Sequence, residues 1–249
     1  MQTRVIAIVN QKGGTGKTTT AVNLGVALGK LGHRVLLIDF DAQASLTYYF
    51  GISRALKGTV SDALFGDRTL AEIAIPKEGV HIVPADLSLA DAELSLATFG
   101  ERTSVLKRLI APLLGQYDYI LIDCGPSLSL LTVNALVAAR EVIIPLALEV
   151  LALQGLRLIT ETVGRIQKAF NPQLQVLGVL LLMVDLRKQV TQEVYELLLS
   201  ACPHRIFKAH VEIDDKAIEA PSFGQSLLSY APDSIGAVGY LDLAMELGA

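Results

Sequence analysis

An α/β fold built as one doubly wound domain, with a mostly parallel central sheet, is predicted by three observations. Apolar runs at 5–9, 35–38 and 176–184 lack the alternation of a half-exposed strand, so they suit a sheet covered on both faces. Strand-like and helix-like segments alternate along nearly the whole chain. The first apolar run also leads into a glycine-rich turn and then a helix-like segment, the context of a phosphate-binding loop. Together these specify a P-loop NTPase class of sheet, with ligands expected outside the carboxyl ends of the strands.

In order, the pattern predicts a strand over 5–9, a helix over 18–31 stopped at Gly32, and a strand over 35–38. A short helix over 45–50 follows, then short helices and turns over 51–79 and a strand over 79–84. Helices are expected over 88–98 and 103–114, then a strand over 117–123 that ends on an acid. The remainder reads as helix 128–139, strand 141–148, helix 153–170 broken by Asn171 and Pro172, strand 176–184, helix 188–200 and strand 205–211. Helical stretches at 214–220 and 234–247 close the chain. No repeat, linker or low-complexity stretch divides residues 1–249, which predicts a single domain with no helix-turn-helix extension.

The 249 residues can bury a sizeable core, and 51% are hydrophobic against 18% charged. A net charge of −4 excludes a globally basic nucleic-acid-binding body but leaves room for a local basic patch. Cys124 and Cys202 lack any C-x-x-C spacing, which argues against a metal or iron–sulfur site within one chain and favours a reducing cytoplasm. No signal peptide is visible. No run of about 18 apolar residues exists, and the longest candidate, 142–153, is interrupted by Pro145 and Glu149.

Residues 10–19 read N-Q-K-G-G-T-G-K-T-T. Glycines let backbone amides approach phosphate oxygens, and the helix that follows adds its positive end. Gly13, Gly14, Thr15, Gly16, Lys17, Thr18 and Thr19 are therefore the nucleotide-binding residues, with Lys17 on the β- and γ-phosphates and the Thr18 hydroxyl on Mg²⁺. The first glycine of the common pattern is replaced by Gln11, and Lys12 is an added lysine. Asp39, Asp41 and Asp123 stand at strand ends. Asp123, after an apolar run, is the expected Mg²⁺-holding acid, Asp39 a support for the metal's water shell, and Asp41 the group that orients or deprotonates the attacking water.

The loop K-G-G-T-G-K-T-T resembles the deviant Walker A loop of the ParA/MinD group of ATPases. Over nearly its whole length the chain resembles ParA/Soj-type partition ATPases. The matching stretches are N-Q-K-G-G-T-G-K-T-T-T-A-V-N-L, R-V-L-L-I-D-F-D-A-Q, Y-D-Y-I-L-I-D-C-G-P-S-L-S-L-L-T-V-N-A-L and E-A-P-S-F-G. The resemblance implies that Lys12 crosses an ATP-dependent homodimer interface to the partner's phosphates, and that hydrolysis is slow and depends on Asp41. It implies non-specific binding of double-stranded DNA by the ATP dimer, with Arg187 and Lys216 at the matching basic positions. It further implies a ParB-like partner that stimulates hydrolysis through a short basic segment, and a cytoplasmic, nucleoid-associated protein without membrane attachment.

The chain departs from that family pattern at three places. Ala42 and Gly125 stand where the family usually has proline, and Gly125 is expected to loosen its loop. Val211-Glu212-Ile213-Asp214 replaces a stretch that lies against the adenine in many relatives, so Glu212 and Asp214 are the aligned candidates for base contact and strict ATP preference is open. Three other readings differ in class. A protein cargo would keep the ATPase cycle; a MinD-like membrane regulator would need a basic amphipathic end, whereas residues 240–249 are acidic and short; an iron–sulfur carrier would need cysteines meeting across a dimer.

Overall fold

The computed structural model describes residues 2–52, 56–149, 152–185 and 187–248. Leu186 of the basic stretch and Val150 and Leu151 of the longest apolar run lie outside them. The described chain forms one α/β domain. Its first half contains β1 (Arg4–Ile8), α1 (Lys17–Lys30), β2 (Val35–Phe40), α2 (Ser45–Tyr49), α3 (Val60–Phe65), α4 (Leu70–Ile73), β3 (Ile75–Lys77), β4 (Val80–Val83), α5 (Ser88–Leu96) and α6 (Val105–Ile110). Its second half contains β5 (Tyr119–Cys124), α7 (Leu130–Ala138), β6 (Glu141–Ala147), α8 (Ala152–Ala169), β7 (Gln175–Val184), α9 (Gln189–Ala201), β8 (Ile206–Glu212), α10 (Lys216–Glu219), α11 (Leu227–Tyr230) and α12 (Ile235–Gly248).

Eight strands form one sheet in the order β3-β4-β2-β5-β1-β6-β7-β8, parallel except for the β3–β4 hairpin. Side chains of the central strands alternate between two cores. Val5, Ala7 and Val9 face a layer formed by α3, α5, α6, α7 and α8, whereas Ile6 and Ile8 face α1, α2, α11 and α12. Both faces are buried, which explains the unbroken apolar runs. α1 lies unusually close to the sheet, because a Cβ on Gly25 would meet Leu37 Cδ2 at 2.5 Å.

Two readings of the sequence change. The segment 51–79 contains a strand as well as helices: β3 hides behind Pro76, whose missing N–H is harmless because β3 is an edge strand. A two-residue turn at Glu78 and Gly79, both at positive φ, folds β3 onto β4. Near the end, 214–220 supplies only the single turn of α10, which continues as a 3₁₀ turn through Ala220–Phe223. The last helix packs against α1 and β8, with Tyr240, Leu243, Ala244 and Leu247 buried. Among the described residues, no helix is long and apolar enough to cross a membrane.

Candidate nucleotide site

The strand order places the expected site. β5 lies between β2 and β1, and Asp123 is in register with both Asp39 and Ile8. Three carboxyl ends therefore meet: β1 delivers the glycine loop, β2 delivers Asp39 and Asp41, and β5 delivers Asp123. Asp39 and Asp123 share the alternation of Leu37 and Leu121, so both point to the α1 side of the sheet.

The loop is tied down at its start. Asn10 Nδ2 donates to the Pro145 carbonyl at 2.7 Å, while Asn10 Oδ1 accepts from the Lys12 N–H at 3.0 Å. Thr15 Oγ1 and Lys17 Nζ both donate to the Lys12 carbonyl at 3.1 Å. Gly14 and Gly16 have φ of 73° and 78°, the left-handed region that glycine occupies without strain. A Cβ on Gly13 or Gly14 would meet nothing within 4 Å, whereas one on Gly16 would strike Leu182 Cδ1 at 2.6 Å. The first two glycines thus border open space, and the third packs against β7.

α1 begins at Lys17 with no side-chain cap and no acid in its first turn. Its first amides are left for an outside acceptor, and the helix dipole favours an anion there. Lys17, Thr18, Thr19 and Asp41 line the adjoining cleft of about 660 Å³ together with Gly13, Gly14 and Gly16. The far walls are Gln43, Ser45, Tyr48, Tyr49, Pro126, Met183 and Pro221.

The acids differ sharply in their surroundings. Asp39 is fully buried and engaged: Oδ2 accepts from Thr47 N at 2.8 Å and Thr47 Oγ1 at 2.7 Å, and Oδ1 accepts from Asp41 N at 3.3 Å. Thr47 Oγ1 in turn accepts from Ala85 N at 2.9 Å, joining the ends of β2 and β4. Burial pushes the Asp39 carboxyl up to about 6, against the pull of its Thr47 and Asp41 bonds. Asp123 is also fully buried, yet neither oxygen has a hydrogen-bond partner. Burial, then the charge of Asp39, hold it well above the usual carboxylate range. The neighbouring Thr18 hydroxyl opposes the shift without completing a hydrogen bond. Burial lowers Lys17, with Asp123 and Asp41 opposing.

An orphaned carboxylate beside a buried ammonium and an uncapped helix start fits Mg²⁺ with a nucleotide phosphate. Asp123 and Thr18 would hold the metal and Lys17 the phosphates. Among the described residues no group of three or more His, Cys, Asp or Glu could hold a metal ion.

Other expected residues stand apart. Lys12 is absent from the cleft lining and pairs with Glu149 of its own chain, both about half exposed. Glu212 and Asp214 are absent from the cleft lining, where Met183 and Pro221 appear instead. Asp214 Oδ2 accepts from Gly236 N at 3.0 Å and Oδ1 from Lys216 N at 2.9 Å, so this carboxylate ties α10 to α12. Arg187 forks onto Asp185, with Nε–Oδ1 2.7 Å and Nη2–Oδ2 3.1 Å. Lys216 Nζ pairs with Glu219 at 2.8 Å and lies 5.9 Å from the Tyr230 ring centre. The sequence reading missed Thr47, Tyr48, Met183 and Glu149. Met183, at φ 55° where the most apolar strand ends, carries no local sequence signal, but Pro221 lay within the quoted E-A-P-S-F-G stretch.

Residues 3–176 match the AAA domain family. The chain is 43% identical to the sporulation initiation inhibitor protein Soj of Bacillus subtilis, covering 99% of this chain and 98% of Soj. It is 40% identical to the chromosome partitioning protein ParA of Caulobacter vibrioides, covering 98% and 93% respectively. Among solved structures, cobyrinic acid a,c-diamide synthase from Mycobacterium smegmatis, with a bound ATP analogue and magnesium, superimposes with a TM-score of 0.85. It is 34% identical, and 98% of this chain and 94% of that one are covered. A glycine loop, paired strand-end acids and full-length similarity agree, and the chain belongs to the ParA/Soj family of partition ATPases.

Proposed function

We propose that this protein is a Mg²⁺- and ATP-switched homodimer that binds DNA without sequence preference and hydrolyses ATP slowly until a ParB-like partner stimulates it. Repeated cycles would segregate or position chromosomal or plasmid DNA. The observation that carries the nucleotide part is the buried, unpartnered Asp123 carboxylate beside Lys17 and the uncapped start of α1. Such groups are costly to bury unless a ligand completes them. Bound Mg²⁺ would neutralise phosphate charge as the transferred group departs. Lys17 would hold the phosphates, Thr18 and Asp123 the metal, and Asp41 would orient the attacking water. Asp39, gripped by Thr47, would keep the Asp41 backbone in place.

Lys12 is the proposed in-trans cation. Its pair with Glu149 is exposed, and such pairs contribute only about 0–1 kcal/mol, so exchanging Glu149 for a partner's phosphates costs little. Residues in the Arg187–Lys216 region would meet DNA phosphates, and dimerisation would double their number.

The test combines sedimentation with binding to random-sequence duplex DNA in ATP, ADP and no nucleotide, at two salt concentrations. Wild-type protein should dimerise and bind DNA only with ATP, and Arg187→Ala should bind more weakly. Asp41→Ala should accumulate as an ATP-bound, DNA-bound dimer, and Lys12→Gln should stay monomeric. A Lys12→Gln variant that dimerises normally would remove the in-trans role. ATP dimers that ignore DNA in every condition would replace the nucleoid with a protein cargo.

A further inference from the structure

The loop after β5 continues Cys124-Gly125-Pro126-Ser127, and Gly125 lies directly against Asp41. A Cβ at Gly125 would stand 3.0 Å from Asp41 Oδ1 and 3.3 Å from Asp41 Cγ. Gly125 has no positive φ, so its backbone conformation does not require glycine. What the position requires is clearance. Few bonds hold the Asp41 carboxylate: Oδ1 accepts from Gln43 N at 3.1 Å, and Asp41 lines the cleft with Pro126.

A side chain at 125 must displace something. Cys124 is in register with Phe40 at the end of β2, and that pairing pins the backbone where the loop leaves the sheet. The atoms in the way belong to the free end of a side chain, which yields more easily than a paired strand. The displacement therefore falls on the Asp41 carboxylate, by a few tenths of an ångström.

We propose that Gly125 is a positioning residue whose missing side chain sets where the Asp41 carboxylate stands at the edge of the phosphate cleft. The proposal rests on the reading of Asp41 as the group on which hydrolysis depends. Gly125 touches neither nucleotide nor metal in this scheme and acts only through Asp41.

The experiment measures ATP hydrolysis, ATP affinity and thermal stability for wild type, Gly125→Ala, Gly125→Val, Asp41→Ala and the Gly125→Ala/Asp41→Ala double variant. Gly125→Ala should lower kcat by about tenfold, since a misplacement of 1 Å can cost about 10²-fold. Gly125→Val should lower it further. ATP affinity should stay within about twofold, because the clearance concerns a water-orienting group rather than a phosphate ligand. The double variant should hydrolyse no more slowly than Asp41→Ala alone. A wild-type kcat in Gly125→Ala beside an inactive Asp41→Ala would overturn the proposal alone, as would a further loss in the double variant. Wild-type hydrolysis by Asp41→Ala would overturn the reading of Asp41, and the proposal with it.

Discussion

The cleft at the strand ends and the basic edge beyond β7 and β8 both gather charge, but they leave it in opposite states. In the cleft, Asp123 is buried with no hydrogen-bond partner and Lys17 reaches only a backbone carbonyl. At the edge, Arg187 is forked onto Asp185, Lys216 is paired with Glu219, and Arg205 is paired with Glu246. Burying ionisable groups without partners is expensive, so their survival in the cleft points to a ligand that completes them. Exposed pairs contribute little and exchange readily, so their presence neither requires nor excludes a polyanion. The same residue types therefore carry strong functional information in one region and weak information in the other.

The sharpest way to break this contrast is Asp123→Asn. An amide there replaces an acid whose ionisation burial and the Asp39 charge both oppose, so the nucleotide-free protein should melt at a higher temperature than wild type. The same variant should lose the extra stabilisation that Mg²⁺ adds to ATP, and its hydrolysis should fall by about 10²-fold or more. Thermal melts with ATP, with and without a chelator, read both effects. A lower melting temperature for the nucleotide-free variant would mean that Asp123 is satisfied in a way the geometry does not show.

Gly16→Ala comes next. It places a Cβ at a φ of 78° and drives it to 2.6 Å from Leu182 Cδ1. Backbone strain and overpacking together should cost about 1–3 kcal/mol, measured by denaturant unfolding, and ATP affinity should weaken as the loop is pushed off β7. Gly13→Ala, whose Cβ meets nothing in the protein, should unfold like wild type yet bind ATP more weakly. Equal destabilisation by the two would show that packing rather than ligand clearance selects glycine at 13.

Much of the cleft was legible because its chemistry is local in sequence. The glycine loop is contiguous, Asp39 and Asp123 end apolar runs, and Asp41 follows two residues after Asp39, so strand assignment alone carries all three to the carboxyl ends of the sheet. Side-chain partnerships between distant segments were not legible. Thr47 grips Asp39 from a short helix, Glu149 meets Lys12 from 137 residues away, and Asp214 turns to the start of α12 rather than the cleft. β3 escaped because a proline in a strand argues against the strand until its position at the sheet edge is known. At the basic edge the acids Asp185 and Glu219 were visible as residues without being visible as the partners of Arg187 and Lys216.

The smallest expected effect is at Asp185. Asp185 neutralises Arg187 directly and sits 3.7 Å from Lys188 Nζ. If this edge meets DNA, Asp185→Asn should tighten ATP-dependent binding about two- to fivefold at low salt and steepen its salt dependence, because more positive charge becomes available to phosphates. The amide oxygen can still accept the Arg187 N–H bond, which spans 3.3 Å in the wild type, so the local turn should persist. Acidification cannot substitute for the mutation. Arg187 holds the Asp185 carboxyl down to about 2, so it stays ionised above that range, and the pair's contribution to stability is lost only as the pH falls from about 4 through about 2. DNA titrations at pH 5 and pH 7.5 should therefore show no change attributable to Asp185, while Asp185→Asn shifts both curves alike. If Asp185→Asn and Arg187→Ala both bind as wild type does, these paired charges are an ordinary solvated surface and the DNA contact lies elsewhere.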